Sequence, residues 1–147
     1  MGMKQRLMKR AETFAEPGER VVAACVGQQT GVVAGQAVGG LAGAVIAGQV
    51  GKGERAEAAA SGFPMARSMV VAATDRRIIV FFGKKLLGTV DRDQIAGAEV
   101  IKKRMLFPST IGITMRNGHT AKMAVNRYTG PAELVAAVQA LVSEAAA

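Results

Sequence analysis

The second half of the chain alternates apolar and polar residues, which predicts short β-strands. Ile111, Ile113 and Met115 alternate with polar or small residues, and Met123 and Val125 do the same after Asn117-Gly118. A period of two places one face of each strand in a core. An Asn-Gly dipeptide favours a type I′ turn, because both central residues need positive φ. We therefore predict a β-hairpin over residues 109–126.

Further apolar runs are bounded by turn residues and charges, and each has the length of a strand. With the hairpin, they predict about seven strands. The runs are residues 19–27, 66–75, 76–85, 86–93 and 95–102.

The chain ends with a pattern typical of an amphipathic helix. Pro131 suits a first helical turn, and Glu133 lies where a carboxylate meets the positive end of the helix dipole. An apolar stripe follows at helical spacing and needs a sheet to cover it. The stripe consists of Leu134, Val135, Val138, Leu141 and Val142.

Residues 3–15 predict a basic amphipathic helix, which Pro17-Gly18 ends. Its apolar positions are Met3, Leu7, Ala11 and Phe14. A helix of this kind either lies on a membrane surface or packs on its own domain. We favour packing on the domain.

This order of elements resembles the pleckstrin-homology-like (PH-like) fold, and the similarity is closest to small bacterial proteins with such a domain. The segments that carry the resemblance are VVAATDRRIIVFFGKKLLGTV (70–90), QIAGAEV (94–100) and the hairpin and helix from 109 to 142. The opening RLMKRAETFAEPGERVVAA (6–24) is similar to the usual lead-in of those proteins.

The resemblance implies an α+β, mainly β fold: a curled antiparallel sheet of about seven strands, capped by the C-terminal helix. It divides the chain into an N-terminal helix (1–18) and a PH-like domain (19–147) with a glycine-rich insertion at 28–65. It implies a binding or scaffolding module without naming a ligand. Phosphoinositide specificity does not carry over, because the segment after the first strand has no basic residue before Lys52. For Thr74-Asp75-Arg76-Arg77 we expect a structural turn, with Asp75 bonding its own backbone and both arginines in solvent.

The glycine-rich run 31–51 repeats small residues every four positions, at Gly31, Gly35, Gly39, Gly43 and Ala47. As a helix, such a series forms a smooth ridge that allows close packing. Three interpretations stay open: a helical zipper on the domain or on another copy, a membrane-attached segment, or a loop. A single membrane crossing is excluded if the strands on both sides of the run belong to one sheet. We favour a helical self-association element.

Charge is unevenly distributed along the chain. The net charge is +8, and residues 76–127 hold 11 Lys/Arg against 3 Asp/Glu. Such a segment attracts anionic surfaces. The residues we select for anionic-surface binding are Lys84, Lys85, Lys102, Lys103 and Arg104.

Nothing in the sequence predicts an enzyme. His119, the only histidine, has no assignable base, nucleophile or metal partner, and we interpret it as an exposed turn residue. Cys25, the only cysteine, lies in an apolar run and reads as a core residue. We predict no catalytic residue, no cofactor and no metal.

Two functional hypotheses follow. The first is a non-enzymatic module, peripherally attached to anionic membrane through its basic face and the glycine run. The second is a soluble scaffold that forms homo-oligomers or binds another protein. We do not expect nucleic acid as a partner, because aromatic residues make up only 4% of the chain. We expect a cytoplasmic protein that reaches the inner face of the cell membrane.

Overall fold

A computed structural model describes residues 2–29, 56–102, 109–126 and 129–146. Within them, seven strands form one open antiparallel sheet in the order β4-β3-β2-β1-β7-β6-β5. The predicted α+β class, with seven antiparallel strands and a helix at each end of the chain, is confirmed. The strands are β1 (Val21–Gln29), β2 (Met69–Thr74), β3 (Arg77–Phe82), β4 (Lys85–Asp91), β5 (Ile95–Lys102), β6 (Ser109–Met115) and β7 (Thr120–Val125).

Strand β1 joins the two halves of the sheet. It pairs with β2 along most of its length, from Val21↔Thr74 to Gly27↔Met69, and with β7 from Gly27↔Val125 onward. Residues 28 and 29, at the start of the predicted insertion, therefore belong to the sheet. The β2-β3-β4 and β5-β6-β7 groups are each formed by strands consecutive in sequence.

The C-terminal helix covers one face of the sheet and contributes to the larger core. This helix spans Pro131–Ala146, and Leu134, Val138 and Leu141 are buried as the stripe predicted. The same core includes Ile78 of β3 and Ile113 of β6. Gln139 adds a hydrogen bond from its Nε2 to the carbonyl oxygen of Ala98 in β5, at 2.9 Å.

The N-terminal helix α1 (Met3–Glu12) packs on a second core on the other face of the sheet. Ala11 is fully buried, and Leu7, Met8 and Phe14 contact this core, whereas Met3 remains exposed. The helix thus packs on its own domain, as we favoured. The sheet residues beneath it are Val21, Ala24, Val70, Ala72, Ile79 and Phe81.

A further helix, α2, of which residues 56–61 are described, connects to β2 through residues 62–68 and packs into the domain. The C-terminal helix is accordingly α3. Ala58 and Phe63 are buried in the larger core. The segment is also held by the β6-β7 turn, where Asn117 Nδ2 donates to the carbonyl oxygens of Ala60 (3.2 Å) and Ser61 (3.3 Å). The described end of the glycine-rich insertion is therefore part of the folded domain.

The predicted β6-β7 hairpin is present, but its turn is not type I′. Met115 pairs with His119, and the Gly118 N–H bonds the Met115 carbonyl at 3.0 Å, so three residues form the loop. Only Gly118 has positive φ, at 90°. This geometry is a type I turn followed by a left-handed glycine. Asn117 keeps negative φ while its side chain bonds α2 and accepts the His119 N–H.

No helix within the described ranges is both long and apolar enough to cross a membrane.

Candidate functional site

The turn between β3 and β4 is short, and its conformation depends on a glycine. Two residues, Gly83 and Lys84, connect Phe82 to Lys85, which pair with each other. Gly83 has φ +61° and comes first in the turn, as a type II′ hairpin requires. The turn therefore lies at the end of edge strand β4 and of β3, where the side chains on both sides of it reach the surface. Residues 82–86 are called the hairpin tip below.

Two large apolar side chains are exposed at the hairpin tip. Phe82 is 57% exposed and Leu86 is 45% exposed. Residues paired across two strands share a face, so Phe82 and Lys85 project together, while Leu86 shares the face of buried Phe81. Each face of the hairpin tip thus exposes one large apolar side chain, and the two lysines lie between them in the sequence.

Lys84 and Lys85, two of the predicted anionic-surface residues, are both exposed. Neither has an ion-pair partner within the described parts of the chain. Their charges are therefore available to an external anion. The hairpin tip thus places these two exposed lysines beside two exposed apolar side chains.

The end of α1 forms an open cleft with the hairpin tip. The cleft has a volume of about 600 Å³ and is lined by Arg10, Thr13, Phe14, Gly83 and Lys84. The ring of Phe14 lies 4.9 Å from that of Phe81 between centroids, which fixes the helix end against the sheet. Arg10 is exposed and, like Lys84, has no ion-pair partner among the described residues.

The other predicted site residues do not join this cluster. Lys102 ends β5, at the opposite edge of the sheet from β4, and its side chain lies outside the description. Lys103 and Arg104 lie outside the described residues, as do the self-association positions Gly31, Gly35, Gly39, Gly43 and Ala47.

Sequence reasoning did not select Phe82, Leu86 or Arg10 for the site. The sequence did contain a signal for Phe82 and Leu86. They directly flank a Gly-Lys-Lys turn, and a tight turn at the end of a hairpin cannot bury the residues on both sides of it. No pattern within α1 could have joined Arg10 to Lys84, since their proximity depends on how the helix packs on the sheet.

Thr74-Asp75-Arg76-Arg77 has a structural role, as expected, but its contacts differ from those expected. Asp75 Oδ1 accepts the N–H of Arg20 at 3.0 Å, rather than bonding its own backbone. Arg77 is not in solvent: its guanidinium binds both carboxylate oxygens of Glu19, at 3.0 and 3.1 Å. Thr74 Oγ1 donates to the same carboxylate at 2.6 Å. The motif thus fixes the segment between α1 and β1.

The Glu19 side chain has no solvent exposure and stays ionised. Burial alone would raise its pKa, but hydrogen bonds from Arg77, Thr74 and the Glu16 backbone, with the Arg77 charge, lower the pKa from 4.5 to about 2. Each carboxylate oxygen accepts a hydrogen bond within the protein, so the role of Glu19 is structural.

Cys25 is a buried core residue, as predicted. Its thiol donates to the carbonyl oxygens of Thr129 (3.1 Å) and Gly130 (3.3 Å), linking β1 to the start of α3. Burial raises the pKa of the thiol to about 11, although the side chain of Thr129 and the Lys4 charge act in the opposite direction. A protonated, buried thiol is a poor nucleophile.

His119 lies beside the β6-β7 turn and is partly exposed. Its Nδ1 is 2.9 Å from Oε1 of Glu57, and the same oxygen accepts the Thr120 N–H at 3.0 Å. These contacts hold α2 against the hairpin, so His119 has a structural partner that the sequence did not indicate.

No protein-family model matches this chain, and no curated protein matches it significantly.

Proposed function

We propose that this protein is a non-enzymatic PH-like binding module that attaches peripherally to anionic membrane through its hairpin tip. The observation that carries the proposal is the combination at that tip: exposed Lys84 and Lys85, which have no ion-pair partner among the described residues, beside exposed Phe82 and Leu86. The order of the seven strands and the capping by α3 support the PH-like interpretation.

Both parts of the tip contribute to membrane affinity. A lysine near an anionic leaflet contributes about 1 kcal/mol. Apolar side chains exposed at a tip can enter the boundary between headgroups and acyl chains, where their burial is favourable. The cytoplasmic leaflet carries the negative surface potential that this combination fits, so we place the protein in the cytoplasm at the inner face of the cell membrane.

The first prediction concerns a double variant, Lys84→Gln with Lys85→Gln. Its affinity for vesicles containing anionic phosphatidylglycerol falls about 30-fold, since two contributions of about 1 kcal/mol are lost. Co-sedimentation against neutral phosphatidylcholine vesicles measures this, and high salt releases the wild-type protein.

The matched control is Arg20→Gln with Arg76→Gln, at the β1 start and the β2-β3 turn. It removes the same charge at the opposite end of β2 and β3 from the tip. This control retains most of the affinity. Equal losses in the two variants would show that binding follows net charge, contradicting the role of the tip. Absence of wild-type binding to anionic vesicles would refute membrane attachment.

We also propose self-association through the glycine series, which rests on its four-residue spacing alone. This is the basis of the alternative function, a self-associating or protein-binding scaffold. Gly35→Leu with Gly39→Leu places bulk on the ridge and converts oligomers to monomers in sedimentation velocity. The control, Gly40→Leu with Gly48→Leu, alters two glycines outside the series and leaves the oligomer intact. An unchanged profile for the first pair would refute the zipper.

A further inference from the structure

We propose that Asn117 is a deamidation site and that its deamidation releases α2 from the domain. Asn117 and Gly118 are both exposed in the β6-β7 turn. An asparagine followed by glycine is the dipeptide that deamidates most readily, because glycine has no side chain to hinder the backbone nitrogen that attacks. The inference is independent of membrane attachment, since it concerns a different turn of the sheet.

The Asn117 side chain holds the C-terminal end of α2. The last carbonyl groups of a helix find no partner within it. In α2, the Ala59 carbonyl accepts the Gly62 N–H at 3.2 Å, whereas the carbonyls of Ala60 and Ser61 accept Nδ2 of Asn117. A carboxamide can donate these hydrogen bonds, and an ionised carboxylate cannot. The contact therefore depends on residue 117 remaining an amide.

While α2 is docked, hydrogen bonds occupy every group that takes part in deamidation. The attacking nitrogen, that of Gly118, donates its proton to the Met115 carbonyl at 3.0 Å. The Asn117 Oδ1 accepts the His119 N–H at 3.0 Å, and Nδ2 is held by α2. The reaction requires the carboxamide to turn towards the Gly118 nitrogen. Docking of α2 thus slows deamidation, and local opening of α2 permits it.

The reaction needs only water. Hydroxide removes the Gly118 amide proton, and the nitrogen attacks Cγ of Asn117. A bond forms between this nitrogen and Cγ, the Cγ–Nδ2 bond breaks, and Nδ2 leaves as ammonia after taking a proton from water. Water then opens the cyclic imide. Cleavage at Cγ gives aspartate, whereas cleavage at the backbone carbonyl gives isoaspartate. Loss of ammonia makes the change one-way.

Both products remove the hold on α2. Aspartate at position 117 still accepts the His119 N–H, but its carboxylate faces the carbonyl oxygens of Ala60 and Ser61 without a proton to share. Isoaspartate also adds a methylene to the backbone of the three-residue loop. The described end of the glycine-rich insertion is then attached less firmly to the sheet.

Glu57 provides a second contact through which α2 can be loosened without altering Asn117. Its Oε1 is 2.9 Å from His119 Nδ1 and accepts the Thr120 N–H at 3.0 Å. Glu57→Ala removes both contacts. The matched control is Glu12→Ala, because Glu12 is exposed and makes no ion pair with a described residue.

The first experiment follows deamidation of the full chain in mildly alkaline buffer by peptide mapping and mass spectrometry. Residue 117 converts on the order of tenfold more slowly in the native protein than in urea. Glu57→Ala accelerates the native reaction about fivefold, and Glu12→Ala does not. Equal rates in buffer and urea would overturn the protection. A Glu57→Ala rate equal to that of wild type would overturn its dependence on α2.

The second experiment tests the product directly. Asn117→Asp raises hydrogen exchange over residues 60–63 on the order of tenfold and leaves α3 unchanged. Arg116→Gln is the matched control, since it changes the net charge equally at the neighbouring exposed position. It leaves exchange in both segments as in wild type. Unchanged exchange in Asn117→Asp, or an equal rise in α3, would refute a local release of α2.

Discussion

A single carboxylate, that of Glu19, organises the contact between the first loop and the sheet. Its two oxygens bind Arg77 in a bidentate pair, and Thr74 donates to one of them. Arg77 also donates to the Phe14 carbonyl at 3.3 Å, at the end of α1. One ion pair thus links the helix, the loop and the β2-β3 turn, and removing either charge leaves the other buried.

Glu19→Gln destabilises the protein at pH 7 by about 3–5 kcal/mol, because Arg77 loses its charged partner. The pKa of Glu19 is depressed, so its stabilisation is fully present above its unfolded pKa of 4.5. That stabilisation is lost as the pH falls towards about 2. Urea unfolding between pH 7 and pH 2.5 measures both effects: the gap between variant and wild type narrows through this range.

Glu12→Gln is the control for this prediction, because Glu12 is exposed and makes no ion pair with a described residue. It leaves the unfolding free energy at pH 7 unchanged within about 0.5 kcal/mol. A Glu19→Gln gap that stayed constant with pH would contradict the assigned ionisation.

At the scale of the elements, edge strand β4 is in close contact with Pro64 at its glycine, Gly88. A Cβ added at Gly88 would lie 2.6 Å from Cγ of Pro64, in the segment between α2 and β2. Gly97, in the other edge strand, has no atom within 4 Å of such a Cβ. The two glycines therefore serve different purposes, close approach in β4 and an open surface in β5.

Gly88→Ala destabilises the domain by about 1–3 kcal/mol, since the rigid proline ring cannot move aside without shifting the backbone. Gly97→Ala is neutral or stabilises by up to about 1 kcal/mol, because alanine restricts the unfolded chain at a compatible backbone position. Thermal and urea unfolding of the pair measure the difference. Equal stabilities would show that Pro64 does not pack on β4 as described.

The elements themselves were predictable from periodicity, and the contacts between them were not. The seven strands and both terminal helices follow from alternation, turn residues and helical spacing, which are local signals. The β6-β7 turn type was predicted wrongly, because Asn117 makes its side-chain bonds to α2, far away in sequence. Arg77 was placed in solvent for the same reason, since its partner Glu19 belongs to another loop. Lys84 and Lys85 could be selected by charge, whereas Arg10 required the packing of α1.

At the scale of the whole molecule, charge is distributed by face. The helix α1 exposes Arg6, Lys9 and Arg10 on one side of the sheet, and Arg10 lines the cleft beside the hairpin tip. The two acidic residues of α3 are paired, Glu133 with Lys4 at the start of α1 and Glu144 with Arg92. An anionic surface therefore attracts the α1 side of the domain and orients the tip towards it.

The place of β1 between two three-stranded groups has a consequence for how the chain acquires its structure. Each group joins consecutive strands through short connections, so each can form early with little loss of loop-closure entropy. Pairing β1 with β2 and β7 spans far longer separations, such as Gly27 with Val125. Contacts of that range form slowly. We therefore expect the two meanders to form first and insertion of β1 between them to limit the folding rate.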